Sequence, residues 1–199
     1  KQCLYYWQTW QWANKKINKQ LNQENLKLLS SVLIITIFQI GIFNNMHLFN
    51  SINPSFYLLI FILYRTTFDR SLFILLGFFI GLAVDFTAQT YGCHTIATIT
   101  ICFSREVLEK YSFGVNASLP KPMLSGTVLT NRLFFFFSII FIHQLIYFSL
   151  VFFSFNFAST IIFYTLLNSI VTFIVIWVTT KIFFEKKRWL ERIYLFGQQ

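Results

Sequence analysis

Residues 71–85 read SLFILLGFFIGLAVD, an apolar run in which Gly77, Gly81 and Asp85 recur at intervals of four. Residues four apart in an α-helix lie on the same face, one turn above the other. Glycines at this spacing let two helix backbones approach closely enough for dispersion forces to hold the helices together in lipid. The pattern therefore predicts a membrane helix whose glycine- and aspartate-bearing face packs inward against protein.

The composition of the whole chain is typical of a membrane protein. Of its 199 residues, 56% are hydrophobic and 12% are charged, whereas about a quarter of the residues in soluble domains are charged. All 16 lysines and arginines can be placed on one side of a bilayer, and the loops on the other side then carry one charged residue, Asp85. Because the cytoplasmic loops of multi-pass proteins are enriched in Lys and Arg, both termini are predicted to be cytoplasmic.

The apolar runs predict an all-α, polytopic protein with six transmembrane helices in one membrane domain, residues 28–184. A full crossing needs about 20 apolar residues. The predicted spans are residues 28–49, 54–64, 71–84, 86–104, 133–153 and 160–184. Residues 1–27 are predicted to be a cytoplasmic or interfacial tail, and residues 185–199 a basic cytoplasmic tail.

Two parts of this topology depend on weaker signals. The runs 54–64 and 71–84 are short for a full crossing, so they are predicted to form a hairpin of short, tilted helices. The run 86–104 is only half apolar, but without this crossing Arg105 and the basic residues after it would lie outside the cell. The loop 105–132 is predicted to be irregular and cytoplasmic.

Asp85 and His94 are the polar residues of greatest interest at the predicted outer boundary. A carboxylate at this depth is costly unless it is hydrated or partnered. The turn signal at Gly92 brings His94 near Asp85 along the chain. Two interpretations follow: a proton relay or ligand site, and a structural corner in which the carboxylate holds the imidazole. The structural corner is favoured.

The sequence offers no motif for catalysis, for a metal or for a cofactor. His47 and His143 could in principle join His94 and Asp85 as metal ligands, but no HExxH-like spacing is present. A GxSxG nucleophile turn and a glycine-rich phosphate loop are also missing from the sequence. The basic residues flank apolar runs and form no separate polar face, which argues against nucleic-acid binding despite the net charge of +9. The chain is predicted not to be an enzyme.

From Asn53 onward the sequence resembles the rod shape-determining MreD family, in the form found in Bacteroidetes-type bacteria. The resemblance rests on Pro54, the GFFIGLAVD segment at 77–85, the GCH turn at 92–94, and Arg105. The similarity in layout covers about residues 30–187. The sequence departs from the family at residues 65–70, where a proline-containing turn is usual, and in its aromatic N-terminal tail.

The resemblance implies a non-enzymatic scaffold in the bacterial inner membrane, part of the cell-elongation complex that makes peptidoglycan. The implied partners are MreC, the RodA glycosyltransferase and a class B penicillin-binding transpeptidase, with MreB filaments as an indirect partner. The residues expected to pack helices or to contact partners are Pro54, Gly77, Gly81, Asp85, Gly92, His94 and Arg105.

An alternative function comes from the S components of energy-coupling-factor vitamin transporters, whose architecture MreD-like chains share. S components bind the vitamin and typically present an Ala-x-x-x-Ala face on their first span to the transporter. The predicted first span, 28–49, contains no alanine. The sequence therefore favours a scaffold over a solute-binding protein.

Overall fold

The computed structural model describes residues 30–42, 53–63, 70–114 and 128–196, with side chains described up to residue 182. These residues form helices and turns and contain no strand, which confirms the all-α class for the described ranges. The helices are α1 (Ser30–Gly41), α2 (Leu58–Leu63), α3 (Arg70–Ala88), α4 (Cys93–Phe113), α5 (Leu129–Phe152) and α6 (Ala158–Phe196), with one 3₁₀ turn at Phe155–Phe157 between α5 and α6.

Among the described residues, three stretches of helix are long and apolar enough to cross a membrane: Arg70–Ala88, Leu129–Phe152 and Phe155–Ile182. The chain therefore has the character of a membrane protein. α4 has 21 residues but is not among the three, because charged residues occupy positions 105, 106, 109 and 110 in its second half. The described part of the first predicted span, α1, is a shorter apolar helix.

The helix bounds correct several predicted bounds. The prediction that 105–132 is irregular is wrong at both ends, since α4 continues to Phe113 and α5 begins at Leu129. α3 runs on to Ala88, so residues 86–88 belong to it and not to the next span. α6 continues through most of the predicted tail 185–199. Hydropathy marks only the part of a helix that suits lipid, whereas backbone hydrogen bonding extends the helix beyond it.

Some predictions fall on residues outside the described ranges. These are the tail 1–27, the end of the first span at 43–49, the hairpin tip at 65–69, and His47. For the predicted span 54–64, the helix is limited to Leu58–Leu63. Residues 53–57 before it form irregular chain and turns. The predicted helical start at Pro54 is therefore wrong, and the buried backbone there is bound by side chains from other helices.

The helices from α3 to α6 pack side by side in chain order, each antiparallel to the one before. Contacts between α4 and α5 illustrate this: Phe113 meets Phe135 near one end, and His94 stacks on Tyr147 near the other. The segment 53–63, called the central segment below, lies within the hydrophobic core. Most of its side chains are buried, and those of Leu58, Phe61 and Ile62 are fully so.

The face of α3 that carries Gly77 and Gly81 lies directly against α4. A Cβ atom added to Gly81 would lie 2.6 Å from the Thr95 Cα atom, and one added to Gly77 would lie 2.5 Å from the Cys102 Sγ atom. The Thr98 hydroxyl donates a hydrogen bond of 3.1 Å to the Gly77 carbonyl across this contact. The two glycines therefore let the backbones of α3 and α4 approach as closely as small-residue packing in membranes allows.

Substituting Gly81 with alanine is expected to destabilise the protein by about 1–3 kcal/mol, because the new methyl group must push α4 away. Gly41→Ala is the matched control, since a Cβ atom there meets nothing within 4 Å. Unfolding of the detergent-solubilised protein by added denaturant measures both. Equal stability of the two variants would contradict the close approach of α3 to α4.

Candidate functional site

One buried polar group of the interior is a tyrosine held between two histidines. The Tyr57 hydroxyl lies 3.0 Å from His94 Nδ1 and 2.7 Å from His143 Nε2. Tyr57 comes from the central segment, His94 from the first turn of α4, and His143 from the middle of α5. All three side chains are buried. This tyrosine–histidine cluster joins three parts of the fold at one point.

The rings of the cluster are arranged so that the hydroxyl can reach both imidazoles. The tyrosine ring meets each histidine ring edge-on, at interplanar angles of 81° and 80°. The two imidazoles are nearly parallel, and Tyr147 stacks on His94 at 4.2 Å between ring centroids. The geometry is that of a packed aromatic group with a hydrogen-bonded centre.

The hydrogen-bonding capacity of a phenol restricts the protons of the cluster. Tyr57 has one hydroxyl hydrogen, so it can donate to only one of the two histidines. The other histidine must donate its own N–H to the Tyr57 oxygen. The cluster is therefore satisfied when one facing ring nitrogen is an acceptor and the other is a donor.

The backbone before Tyr57 is held by a side chain from α1. The Gln39 amide oxygen accepts the Tyr57 backbone N–H at 3.2 Å, and its amide nitrogen donates to the Pro54 carbonyl at 3.3 Å. Gln39 is buried, with 3% of its surface exposed. A lone glutamine in an apolar helix thus replaces the hydrogen bonds that a helical backbone would have made for itself.

Side chains from α5 and α6 bind the first residues of the central segment. The Ser55 N–H donates to the Thr172 hydroxyl at 3.3 Å, and the Gln144 amide donates to the Ser55 hydroxyl at 3.2 Å. The Asn53 N–H donates to the Asn168 side-chain oxygen at 3.0 Å. Non-helical backbone at membrane depth is tolerated only where protein supplies its hydrogen bonds. These residues supply them here.

Asp85 at the end of α3 closes the start of α4. Its carboxylate accepts the backbone N–H groups of His94 and Thr95 at 2.9 and 2.8 Å, and the Thr95 hydroxyl at 2.6 Å. The Thr90 hydroxyl also donates to it. The first N–H groups of a helix have no partner within the helix and lie at its positive end. The carboxylate of Asp85 accepts these N–H groups and places a negative charge at the positive end of α4.

The expectation that Asp85 would hold the imidazole of His94 is corrected by these contacts. The carboxylate binds the backbone N–H of His94, and the imidazole binds Tyr57 instead. The physical reason is that first-turn N–H groups point out of the helix end, whereas the His94 side chain projects sideways into the bundle. The corner is hydrogen-bonded, but through different atoms from those expected.

The connection between α3 and α4 is a tight turn that brings Asp85 back over the α4 N-terminus. Gln89, Tyr91 and Gly92 all have positive φ, at 57°, 51° and 94°. Glycine adopts this left-handed conformation without a steric penalty from Cβ, which explains why the residue directly before α4 is glycine. The GCH turn of the sequence thus determines where the helix begins.

Arg105 lies near the other end of α4 and is buried, with 3% of its surface exposed. Its guanidinium lies over the Phe73 ring at 5.1 Å from the centroid, and its Nη2 atom lies 3.6 Å from Glu109 Oε1. A second, half-exposed ion pair joins Arg70 of α3 to Glu106 of α4 at 3.1 Å. Both arginines therefore connect α3 and α4 at the end opposite the Asp85 corner.

Six of the seven residues singled out in the sequence lie at the contact or the turn between α3 and α4, namely Gly77, Gly81, Asp85, Gly92, His94 and Arg105. Pro54 lies in the central segment. Tyr57, Gln39 and the polar residues of α6 were not predicted as site residues from the sequence. A usable signal existed, because an isolated polar residue inside an apolar span points toward protein and away from lipid.

The described residues contain no group of three or more His, Cys, Asp and Glu side chains that could hold a metal ion. Comparison of the chain with protein-family models, with curated proteins and with solved structures found no match. The site is therefore interpreted from its own geometry.

Replacing Asp85 by asparagine is expected to destabilise the protein by about 2 kcal/mol, because charge-assisted hydrogen bonds are lost and an amide NH₂ then faces backbone N–H groups. Glu106→Gln is the control and should cost less than about 1 kcal/mol, since its ion pair is half-exposed. Denaturant unfolding in detergent measures both. Equal losses would show that Asp85 does not cap α4.

Replacing Tyr57 by phenylalanine is expected to cost about 1–3 kcal/mol, because both facing histidine nitrogens lose their buried partner. Tyr111→Phe, at a residue that is 80% exposed, is the control for loss of a hydroxyl. Thermal unfolding of the solubilised variants is the measurement. A Tyr57→Phe protein as stable as the Tyr111→Phe protein would rule out the central hydrogen bonds.

Proposed function

We propose that this chain is an MreD-like, non-enzymatic scaffold of the bacterial cell-elongation complex. It lies in the inner membrane with six spans and both termini in the cytoplasm, and it binds MreC, RodA and a class B penicillin-binding transpeptidase. Its contact with MreB filaments is indirect. It needs no cofactor, and its surroundings are the lipid bilayer and the partner helices.

The proposal rests on one observation. The residues that carry the resemblance to the MreD family pack against one another in the structure. Gly77 and Gly81 allow the close approach of α3 to α4, Asp85 caps α4, and Gly92 makes the turn between them. These residues, all between positions 77 and 92, thus serve one packed helix pair. A rigid pair of this kind suits a protein whose task is to present fixed surfaces to other membrane proteins.

The six-span topology is supported by the two faces of α4. The polar residues Thr95, Thr98 and Arg105 are buried against the rest of the bundle. The outward face carries the exposed, apolar Ile96 and Phe103, and the exposed, charged Glu106 and Lys110 follow toward the C-terminal end. At 1.5 Å per residue, the 21-residue helix is about 30 Å long. This arrangement fits a crossing whose charged end lies at the predicted cytoplasmic side.

A non-enzymatic role is supported by how the polar interior is used. His94 and His143 both face the Tyr57 hydroxyl, and Asp85 is occupied by four donors at the α4 N-terminus. A general base or nucleophile needs a reactive atom that can reach a substrate. In the described residues these candidates are used to hold helices together.

The transporter alternative is less well supported by α1. Its exposed residues include the large side chains Leu33, Ile34, Ile37 and Phe38. A docking face built on small residues at every fourth position needs room for close backbone approach. The described part of α1 presents bulky apolar side chains in most of its outward positions.

Recovery of partners from the membrane tests the proposal. The tagged chain is extracted from its native bacterium in a mild detergent, and co-purifying proteins are identified by mass spectrometry. MreC and RodA enriched over an unrelated tagged membrane protein are the expected result. Enrichment of transporter ATPase subunits would favour the alternative function, and absence of both sets would overturn the scaffold proposal.

Two variants test whether partner recovery depends on the contact between α3 and α4. Gly81→Leu is expected to reduce recovery of MreC and RodA about tenfold, a loss of about 1.4 kcal/mol in binding, because it displaces α4. Gly41→Leu, on an open helix face, is expected to leave recovery unchanged. Comparison is made at equal amounts of the purified variants. Unchanged recovery with Gly81→Leu would separate partner binding from this contact.

A further inference from the structure

Three polar atoms on α5 and α6 are buried but make no hydrogen bond among the described residues. They are His143 Nδ1, Thr165 Oγ1 and Ser169 Oγ. At most 1% of the surface of each residue is exposed. Leaving a buried polar group without a partner is costly, and native structures contain few of them. Three such groups in one region indicate a partner that is not a protein side chain.

The three groups lie at the same level between α5 and α6. Phe137 packs on Phe173, and Phe148 stacks on Tyr164, so the two helices run antiparallel. Interpolating between these two pairs places His143 opposite a position near 168. Thr165 and Ser169 flank that position, one helical turn apart and on one face of α6.

The same face of α6 points toward the centre of the bundle. Asn168 and Thr172 on it hold the backbone of the central segment. Gln144, next to His143, contacts the Ser55 hydroxyl on the same segment. The unpartnered groups therefore lie on the buried, polar side of the two helices and away from lipid.

We propose that ordered water binds between α5 and α6 and bridges His143 Nδ1 to the hydroxyls of Thr165 and Ser169. A buried water typically makes about three hydrogen bonds to otherwise unsatisfied groups. Water suits this site because it both donates and accepts. It can therefore serve His143 whichever of its two nitrogens carries the proton.

The bound water extends the tyrosine–histidine cluster to a fourth element. A continuous chain of hydrogen bonds then runs from His94 on α4 through Tyr57 and His143 to α6. The tautomer of His143 is linked to that of His94 through the single hydroxyl hydrogen of Tyr57. This inference concerns the interior of the bundle and does not depend on the proposed scaffold function.

X-ray radiolytic labelling of the full chain in detergent tests for the water directly, since hydroxyl radicals formed from bound water modify the side chains next to it. Each rate is divided by the intrinsic reactivity of that residue type toward hydroxyl radicals. His143 is then expected to be modified faster than Phe135 and Phe136, because all three side chains are fully buried and only His143 has water beside it. A normalised rate for His143 as low as those of the two phenylalanines would overturn the proposal.

Substitutions on α6 test the bridge through the sign of their effect. If water bridges the hydroxyls, Thr165→Val and Ser169→Ala lower the melting temperature and slow the labelling of His143. If the groups are dry, removing an unpartnered hydroxyl raises the melting temperature instead, and the proposal fails.

The control for these substitutions is Thr179→Val on the same helix, whose hydroxyl already donates to the Val175 carbonyl at 2.7 Å. It measures the effect of exchanging a hydroxyl for a methyl group where no water is proposed. Labelling of His143 that neither Thr165→Val nor Ser169→Ala changes, relative to this control, would show that water does not bridge these hydroxyls.

Discussion

The structure depends on satisfying the backbone of a non-helical segment where no bulk water is available. Residues 53–57 form no α-helical hydrogen bonds among themselves. Gln39 from α1 and Asn168 and Thr172 from α6 bind this backbone instead. These three polar residues are therefore explained by one requirement, that every buried N–H and C=O group have a partner.

The contact between α3 and α4 solves a second problem, which is how to keep a charge at the edge of an apolar bundle. Asp85 is stabilised by the free N–H groups of the α4 N-terminus and by two threonine hydroxyls. Gly77 and Gly81 bring α4 close enough for this arrangement. Because α4 fills the glycine face, the proposed scaffold would bind its partners through outward-facing residues of other surfaces.

Much of the helical layout could be predicted from the sequence, but its bounds and the cluster at its centre could not. Hydropathy ended the fourth span at residue 104, whereas α4 continues to Phe113 because Arg105 and Glu109 turn toward the protein and not toward solvent. The contacts of Tyr57 join residues that are 37 and 86 positions apart in the chain. A local pattern carries no information about partners at such separations.

What the sequence by itself determined is local: apolar runs long enough to span a membrane, glycines at a spacing that favours close packing, and a turn at Gly92 that ends one helix and begins the next. The tertiary structure alone decided which polar groups meet. In the folded protein the Asp85 carboxylate accepts backbone N–H groups, and the His94 imidazole is hydrogen-bonded to the Tyr57 hydroxyl. Hydrogen bonds require distances near 3 Å and defined directions, and only the packed helices bring distant residues into that geometry.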